Sequence, residues 1–258
     1  MRLEVQDESA LRDHMFSTYL TLRYGIAVLG IAFPVLLWLV GRLVYGIELQ
    51  PSMSHYYFAP YPENPSETTF PMRVWFVGPL FAIGVGLFLY KGFTNWENVA
   101  LNLAGIFAVL VALFPKDIDC QTDCGVSLHG TFAVLLFVCL AFVSWFCAEA
   151  TLDYLPPDPA LRTKFRRRYK FLAVLMVVSP LAAYVITVVT NDRNHFIFIA
   201  EAFGVWAFAA YWWVKSQEMA ISRAEIRALE AKIRPPTKQS GMILPRFSVE
   251  PGNEQASS

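Results

Sequence analysis

The chain has 258 residues, with 21 Lys plus Arg balanced by 21 Asp plus Glu, so its formal net charge is zero. Hydrophobic residues make up 55% of the chain and charged residues only 16%, whereas a soluble domain carries about 25% charge. This balance excludes a basic nucleic-acid-binding protein, because the sequence has neither a nucleic-acid motif nor a surplus of positive charge. It is typical of an integral membrane protein.

Six apolar runs follow one another along the chain, each long enough or nearly long enough to cross a bilayer. A spanning helix needs about 20 mostly apolar residues. Lipid leaves only helices and closed barrels able to pair their own backbone groups, and these runs lack the alternation of barrel strands. We therefore predict an all-α polytopic membrane protein, a bundle of six transmembrane helices with a cytoplasmic C-terminal helix. The runs cover residues 24–40, 74–90, 99–114, 131–150, 171–190 and 196–214.

The flanks of these runs predict four segments. Residues 1–19 carry mixed charge and are expected to form a cytoplasmic N-terminal segment with an interfacial helix, ahead of a membrane domain over 20–214. Residues 215–234 predict a polar cytoplasmic helix, in which Ser222 and Glu225 fit a capping box. Residues 235–258 are polar and contain proline, which is typical of a disordered tail.

The basic residues predict how the chain lies across the membrane. Seventeen of the 21 Lys and Arg lie in the N-terminal segment, the second and fourth connections and the C-terminal tail, and only four lie in the other connections. Because basic residues in short loops stay in the cytoplasm, both termini are expected inside the cell, in a plasma or inner membrane. The densest basic stretch, residues 162–170, also suits contact with an anionic inner leaflet.

Three of the four histidines fall on the predicted outer face. His55 lies in the first outer loop, His129 immediately precedes the fourth run, and His195 precedes the sixth. The dipole at a helix N-terminus disfavours the imidazolium, and a neutral imidazole is what a metal requires. A three-histidine zinc site with an open position for water is therefore one hypothesis. Interfacial or hydrogen-bonding roles are the simpler alternative, because the chain has no H-E-x-x-H or similar ligand spacing.

Glu201 lies inside the sixth run, six residues beyond His195, which is about 9 Å deeper at 1.5 Å per residue. A carboxylate within the membrane faces the bundle interior or a water-filled cavity by default. We therefore take Glu201 as a candidate catalytic acid or base; the alternative is a protonated side chain that hydrogen-bonds a neighbouring helix. Together with the histidines it predicts a polar cavity open to the outside, with the segment 54–55 as a lid. Further candidate polar residues are Ser54, Asn102 and Asp192.

Cys120 and Cys124 lie in the third connection, which is predicted to be outside. Oxidation is possible there, and the three intervening residues allow a small closed ring if the loop turns. We predict a disulfide between them, so that alkylation of the thiols in intact cells requires a reductant.

Several short segments resemble recurring positions of an uncharacterised group of bacterial multi-pass proteins, over about residues 25–215. More distantly, the layout is similar to the DRAM-type six-span proteins and to the alkaline ceramidase-like (CREST) superfamily of membrane hydrolases. The last resemblance implies a site with a Ser, an Asp and three His around zinc, two of the histidines on one late helix. This chain has only His195 there, and Glu201 is the nearest other ligand type. The segments are Ser54-His55-Tyr56-Tyr57, Val77-Gly78, Tyr90-Lys91-Gly92, Ala112-Leu113-Phe114-Pro115 and His129-Gly130.

Two classes of function follow from these observations. The first is a non-enzymatic membrane protein, a sensor, scaffold or small-solute pathway, which is slightly favoured because the sequence contains no catalytic motif. The alternative is a metal-dependent intramembrane hydrolase that acts on a lipid through the outer-face histidines and Glu201.

Overall fold

The computed structural model describes residues 8–61, 69–115, 127–190 and 195–224. Within these ranges the chain is helical and contains no strand. Five helices are long and apolar enough to cross a membrane, and a further apolar helix of 17 residues is shorter. The helices are α1 (Glu8–Val44), α2 (Arg73–Leu89), α3 (Asn95–Leu113), α4 (Leu128–Phe142), α5 (Pro159–Thr190) and α6 (Phe196–Ser222).

Local backbone and capping chemistry explains several of the helix boundaries. The side chain of Thr94 accepts a hydrogen bond from the Glu97 amide at 3.1 Å and starts α3. Helix α5 begins at Pro159, a position where the missing proline N–H would be unpaired in any case. The basic stretch 162–170, which the sequence predicted to lie in a connection, is therefore the first part of α5. Helix α6 ends at Ser222 because Arg223 adopts a left-handed conformation with φ of 47°.

The six helices form a closed ring. Each packs on the next along the chain, and α6 packs back on α1. The beginning of each helix lies beside the end of its predecessor, as His129 of α4 does beside Phe114 at the end of α3. We call the end with the start of α1, the α2–α3 turn and the end of α6 the basic end. The opposite end, with the segment after α1, is the loop end.

Glycines let α2 and α3 approach until their backbones touch. A Cβ built on Gly105 would lie 2.5 Å from the carbonyl oxygen of Gly84, and one on Gly84 would lie 2.8 Å from that of Gly105. Any larger residue would separate the helices, as expected where small residues bring helices together in lipid. Gly78, on the same helix as Gly84, has no such neighbour within 4 Å among the residues that the structure describes.

Apolar side chains fill the middle of the ring. They leave a cavity of about 30 Å³ between five of the helices. Its lining includes Phe33 of α1, Ile83 of α2, Ala108 of α3, Leu140 of α4 and Phe208 of α6. The polar groups of the two ends are thereby kept apart.

Three elements differ from the sequence predictions. Residues 8–19 continue directly into α1 and form no separate helix. Residues 215–222 continue α6, and several of them are buried rather than exposed. The apolar run 131–150 does not form one α-helix, since α4 gives way to a π-helical turn (Val143–Cys147) and a 3₁₀ segment (Ala148–Tyr154).

Candidate functional sites at the two ends of the bundle

At the loop end, residues 51–58 form a strap across the start of α6. The Phe198 amide donates to the Pro51 carbonyl oxygen at 2.8 Å, and the Met53 amide donates to Glu201 Oε2 at 2.7 Å. The rings of Tyr56 and Phe198 also pack with their centroids 6.0 Å apart. Glu201 therefore holds a loop amide in place.

Two serines and His55 form a small polar group within the strap. Ser52 Oγ lies 2.9 Å from Ser54 Oγ and 2.6 Å from His55 Nδ1. A hydroxyl beside an imidazole is the arrangement of a nucleophile and its base. Here, however, Ser52 is 1% exposed and the pair is three residues apart at the start of a 3₁₀ turn. The contact is that of a side chain stabilising a turn.

His129 joins the end of α3 to the start of α4. Its Nδ1 lies 2.9 Å from the Phe114 carbonyl oxygen and 3.1 Å from that of Val111. Both neighbours are acceptors, so Nδ1 carries the proton and donates to carbonyls at the end of α3. The imidazole also packs on the ring of Phe76, with the centroids 6.4 Å apart.

The three histidines are not brought together as a ligand set. His195 is exposed in the turn before α6, whereas His55 contacts Ser52 within the strap and His129 contacts the end of α3. Across the part of the chain that the structure describes, no group of three His, Cys, Asp or Glu side chains is placed to hold a metal ion. Three further candidates lie outside the described residues, namely Asp192, Cys120 and Cys124.

Other polar candidate residues are spread over several helices of the ring. Asn102 Oδ1 on α3 is buried and accepts no hydrogen bond from any residue in the described ranges. Ser179 of α5 donates to the carbonyl oxygen of Ala200, next to Glu201. Tyr184 is 67% exposed on α5, so it points away from the ring interior.

The basic end contains a buried ion pair within α6. Lys215 Nζ lies 2.8 Å from Glu218 Oε2, and the two side chains are 2% and 0% exposed. Thr151 donates to the same carboxylate oxygen at 2.8 Å, and the Tyr169 hydroxyl does so at 3.1 Å. The pair is thus held by the 3₁₀ segment after α4 and by α5. We call these four residues the Lys215–Glu218 cluster.

The irregular end of α4 supplies part of this cluster. The carbonyl oxygen of Ala148, at the junction of the π and 3₁₀ turns, accepts a hydrogen bond from Lys215 Nζ at 3.2 Å. Lys215 also donates to Thr151 Oγ1. One turn earlier, Ser144 donates to the Tyr169 carbonyl oxygen at 2.9 Å. Irregular helical turns are tolerated inside a membrane only where such partners take up the freed backbone groups.

Two more buried charges extend the polar layer across the ring. The Glu97 carboxylate accepts from the Phe93 amide at 2.8 Å and interacts electrostatically with both Lys215 and Arg23. Arg23 is 0% exposed and donates to the Tyr90 hydroxyl through Nη2 at 3.0 Å. Two cationic and two carboxyl side chains therefore share one buried layer, where burial opposes the charged form of each group unless a partner compensates it.

The layer also contains buried polar atoms without a partner. Glu218 Oε1 and Trp212 Nε1, both on α6, have no hydrogen-bond partner among the described residues. One is an acceptor and the other a donor. Such atoms are expected where a water molecule, a proton or a small solute completes the site.

This layer was not predicted as a site from the sequence. Arg23 directly precedes the first apolar run and Lys215 directly follows the last, so the charge pattern places both among the basic residues that flank the spans. It makes no prediction for Glu218. Two patterns in the sequence could have indicated part of this layer: a Lys and a Glu three residues apart after the sixth run, and Thr94 three residues before Glu97.

The chain matches no protein-family model, no curated protein and no solved structure. Its function is therefore inferred from the geometry of the strap with Glu201 at the loop end and of the polar layer at the basic end.

Proposed function

We propose that this protein is a non-enzymatic six-span protein of the plasma or inner membrane that provides a pathway for protons or a small charged solute. The Lys215–Glu218 cluster carries this proposal. Ionisable residues inside a membrane bundle are costly and mark ion paths or proton relays. A pure scaffold has no need of them, since an apolar group of similar volume often replaces a buried ion pair without loss of stability.

The pathway would run along α6. Glu201 and Lys215 are 14 residues apart on this helix, which is about 21 Å at 1.5 Å per residue. Between these levels lies the apolar middle, with its cavity of about 30 Å³. The described conformation is thus closed, and transport requires the helices to separate around Phe208.

The orientation with both termini in the cytoplasm is supported by the surface of α5. Lys164, Arg167 and Arg168 are exposed near its start, at the basic end of the ring. Exposed basic side chains beside a span stay on the cytoplasmic side and attract anionic lipid there. The Lys215–Glu218 cluster then belongs to the inner half of the membrane, and Glu201 with its strap to the outer half.

Proton flux into proteoliposomes tests the proposal. A pH-sensitive dye inside the vesicles reports the flux under a potassium diffusion potential. The wild-type protein should exceed protein-free vesicles, and a double variant with Lys215→Met and Glu218→Met should lose about nine-tenths of the excess. Phe208→Ala should increase the flux by widening the closed middle. A matched control pairs Asp13→Asn with Arg223→Gln, because those two charges lie 3.9 Å apart but are 66% and 59% exposed.

Two results would contradict the pathway. The first is a wild-type flux equal to that of protein-free vesicles that stays equal in Phe208→Ala. The second is an unchanged flux after removal of the buried pair. Stoichiometric zinc in the purified protein, together with hydrolysis of a lipid, would favour the hydrolase hypothesis instead.

A further inference from the structure

We propose that Arg73, at the start of α2, binds a phosphate group at the outer membrane interface. This inference does not depend on the proposed pathway, because Arg73 lies at the loop end, away from the Lys215–Glu218 cluster. The proposal rests on three observations about the guanidinium: the aromatic rings that enclose it, the lack of a protein anion beside it in the described part of the chain, and its depth in the membrane.

Aromatic rings hold the guanidinium in place. Its central carbon lies 4.4 Å from the ring centroid of Tyr57, 4.8 Å from that of Phe70 and 5.8 Å from that of Phe58. Tyr57 and Phe58 belong to the strap, and Phe70 lies three residues before the first residue of α2. Rings attract a guanidinium through their faces and leave its N–H groups at the edge for a ligand. The side chain is thereby preorganised.

Within the described part of the chain, no carboxylate of the protein lies close enough to pair with the Arg73 guanidinium. Arg73 forms no ion pair there, and its Nε is a buried donor without a hydrogen-bond partner. Arg42, an exposed cation at the same end, differs in having no aromatic enclosure among the described rings. A planar fork of N–H donors matches the oxygens of a phosphate.

The length of α2 sets the depth of the site. Its 17 residues span about 25 Å at 1.5 Å per residue, less than the roughly 30 Å of hydrocarbon in a typical bilayer. A cation at the end of so short a helix normally extends to the headgroups. The aromatic rings restrain the Arg73 side chain from extending to the headgroups, so a phosphate group has to approach the guanidinium. The phosphodiester of a membrane lipid lies at this interface, and free phosphate is the other source of the same chemistry.

Native mass spectrometry of the detergent-purified protein tests the site. The probes are short-chain phosphatidylglycerol, short-chain phosphatidylcholine, diacylglycerol of the same chain length, and inorganic phosphate. We expect both phospholipids to bind about tenfold more tightly than diacylglycerol, because a charge-assisted hydrogen bond to phosphate distinguishes them. If inorganic phosphate displaces the bound phospholipid, the free anion is identified as the ligand. If inorganic phosphate does not displace it, the lipid is identified as the ligand.

Arg73→Gln should abolish the preference for phospholipid, and Arg73→Lys should retain only part of it, since an ammonium lacks the planar fork. Arg42→Gln removes the same charge from the same end without touching the aromatic enclosure and should leave the preference intact. Equal phospholipid binding in wild type and Arg73→Gln would overturn the proposal, as would an equal loss in Arg42→Gln. If Arg73→Gln does not fold, Arg73→Lys decides: full retention of the preference would count against the site.

Discussion

Breaking the buried pair of Lys215 and Glu218 one partner at a time should destabilise the protein far more than removing both. At the observed 2.8 Å, the gross attraction of two unit charges is about 6 kcal/mol at an effective dielectric constant of about 20. Most of it offsets the cost of desolvating the two groups. Removal of one partner leaves the other charge buried without its ion-pair partner, which costs about 3–5 kcal/mol.

We therefore expect Lys215→Met and Glu218→Met each to lower the unfolding temperature by about 10 °C, taking about 2–4 °C per kcal/mol for a chain of this size. The double variant should lie within about 1 kcal/mol of the wild type, because methionine fills a similar volume and no charge remains unpaired. The coupling energy of this double-mutant cycle is the quantity to measure.

The assay is thermal unfolding in detergent, followed by tryptophan fluorescence at one fixed scan rate. The exposed pair of Asp13 and Arg223 provides the control, and its removal should cost less than about 1 kcal/mol. Additive losses in the Lys215 and Glu218 variants would show that the two charges do not stabilise each other. The interpretation of the cluster would then be refuted.

The remaining predictions concern packing, the strap and orientation. Gly105→Ala should destabilise the protein by about 1–3 kcal/mol through the clash with α2. Gly78→Ala, whose added Cβ has no atom of the described residues within 4 Å, should be neutral or slightly stabilising; thermal unfolding separates the two signs. Glu201→Ala should speed hydrogen exchange of the strap, since it removes the acceptor of a loop amide, and Glu201→Gln should largely restore protection. In intact cells, an impermeant thiol reagent should label Arg42→Cys and not Lys164→Cys, and the reverse pattern would invert the proposed orientation.

Apolar length and the positions of charge are enough to determine much of this fold. Lipid requires every backbone group to be paired within its own segment, so runs of such composition are confined to helices. The bounds of the apolar runs are therefore close to those of α2, α3 and α6 at one or both ends. The irregular end of α4 is not predictable in this way, because the π and 3₁₀ turns there depend on partners from α5 and α6.

The sequence also singles out Glu201 and a lid around residues 54–55. In the structure the Met53 amide of the strap donates a hydrogen bond to the Glu201 carboxylate. It does not identify the layer at the basic end. A Lys that follows an apolar run has the same local pattern whether it extends to the headgroups or is buried. For Lys215 the choice depends on Ala148, Thr151 and Glu218, and the first two lie more than 60 residues away along the chain. Only the closure of the ring brings these acceptors to one place, so local sequence determined the helices and long-range packing decided which charges are buried.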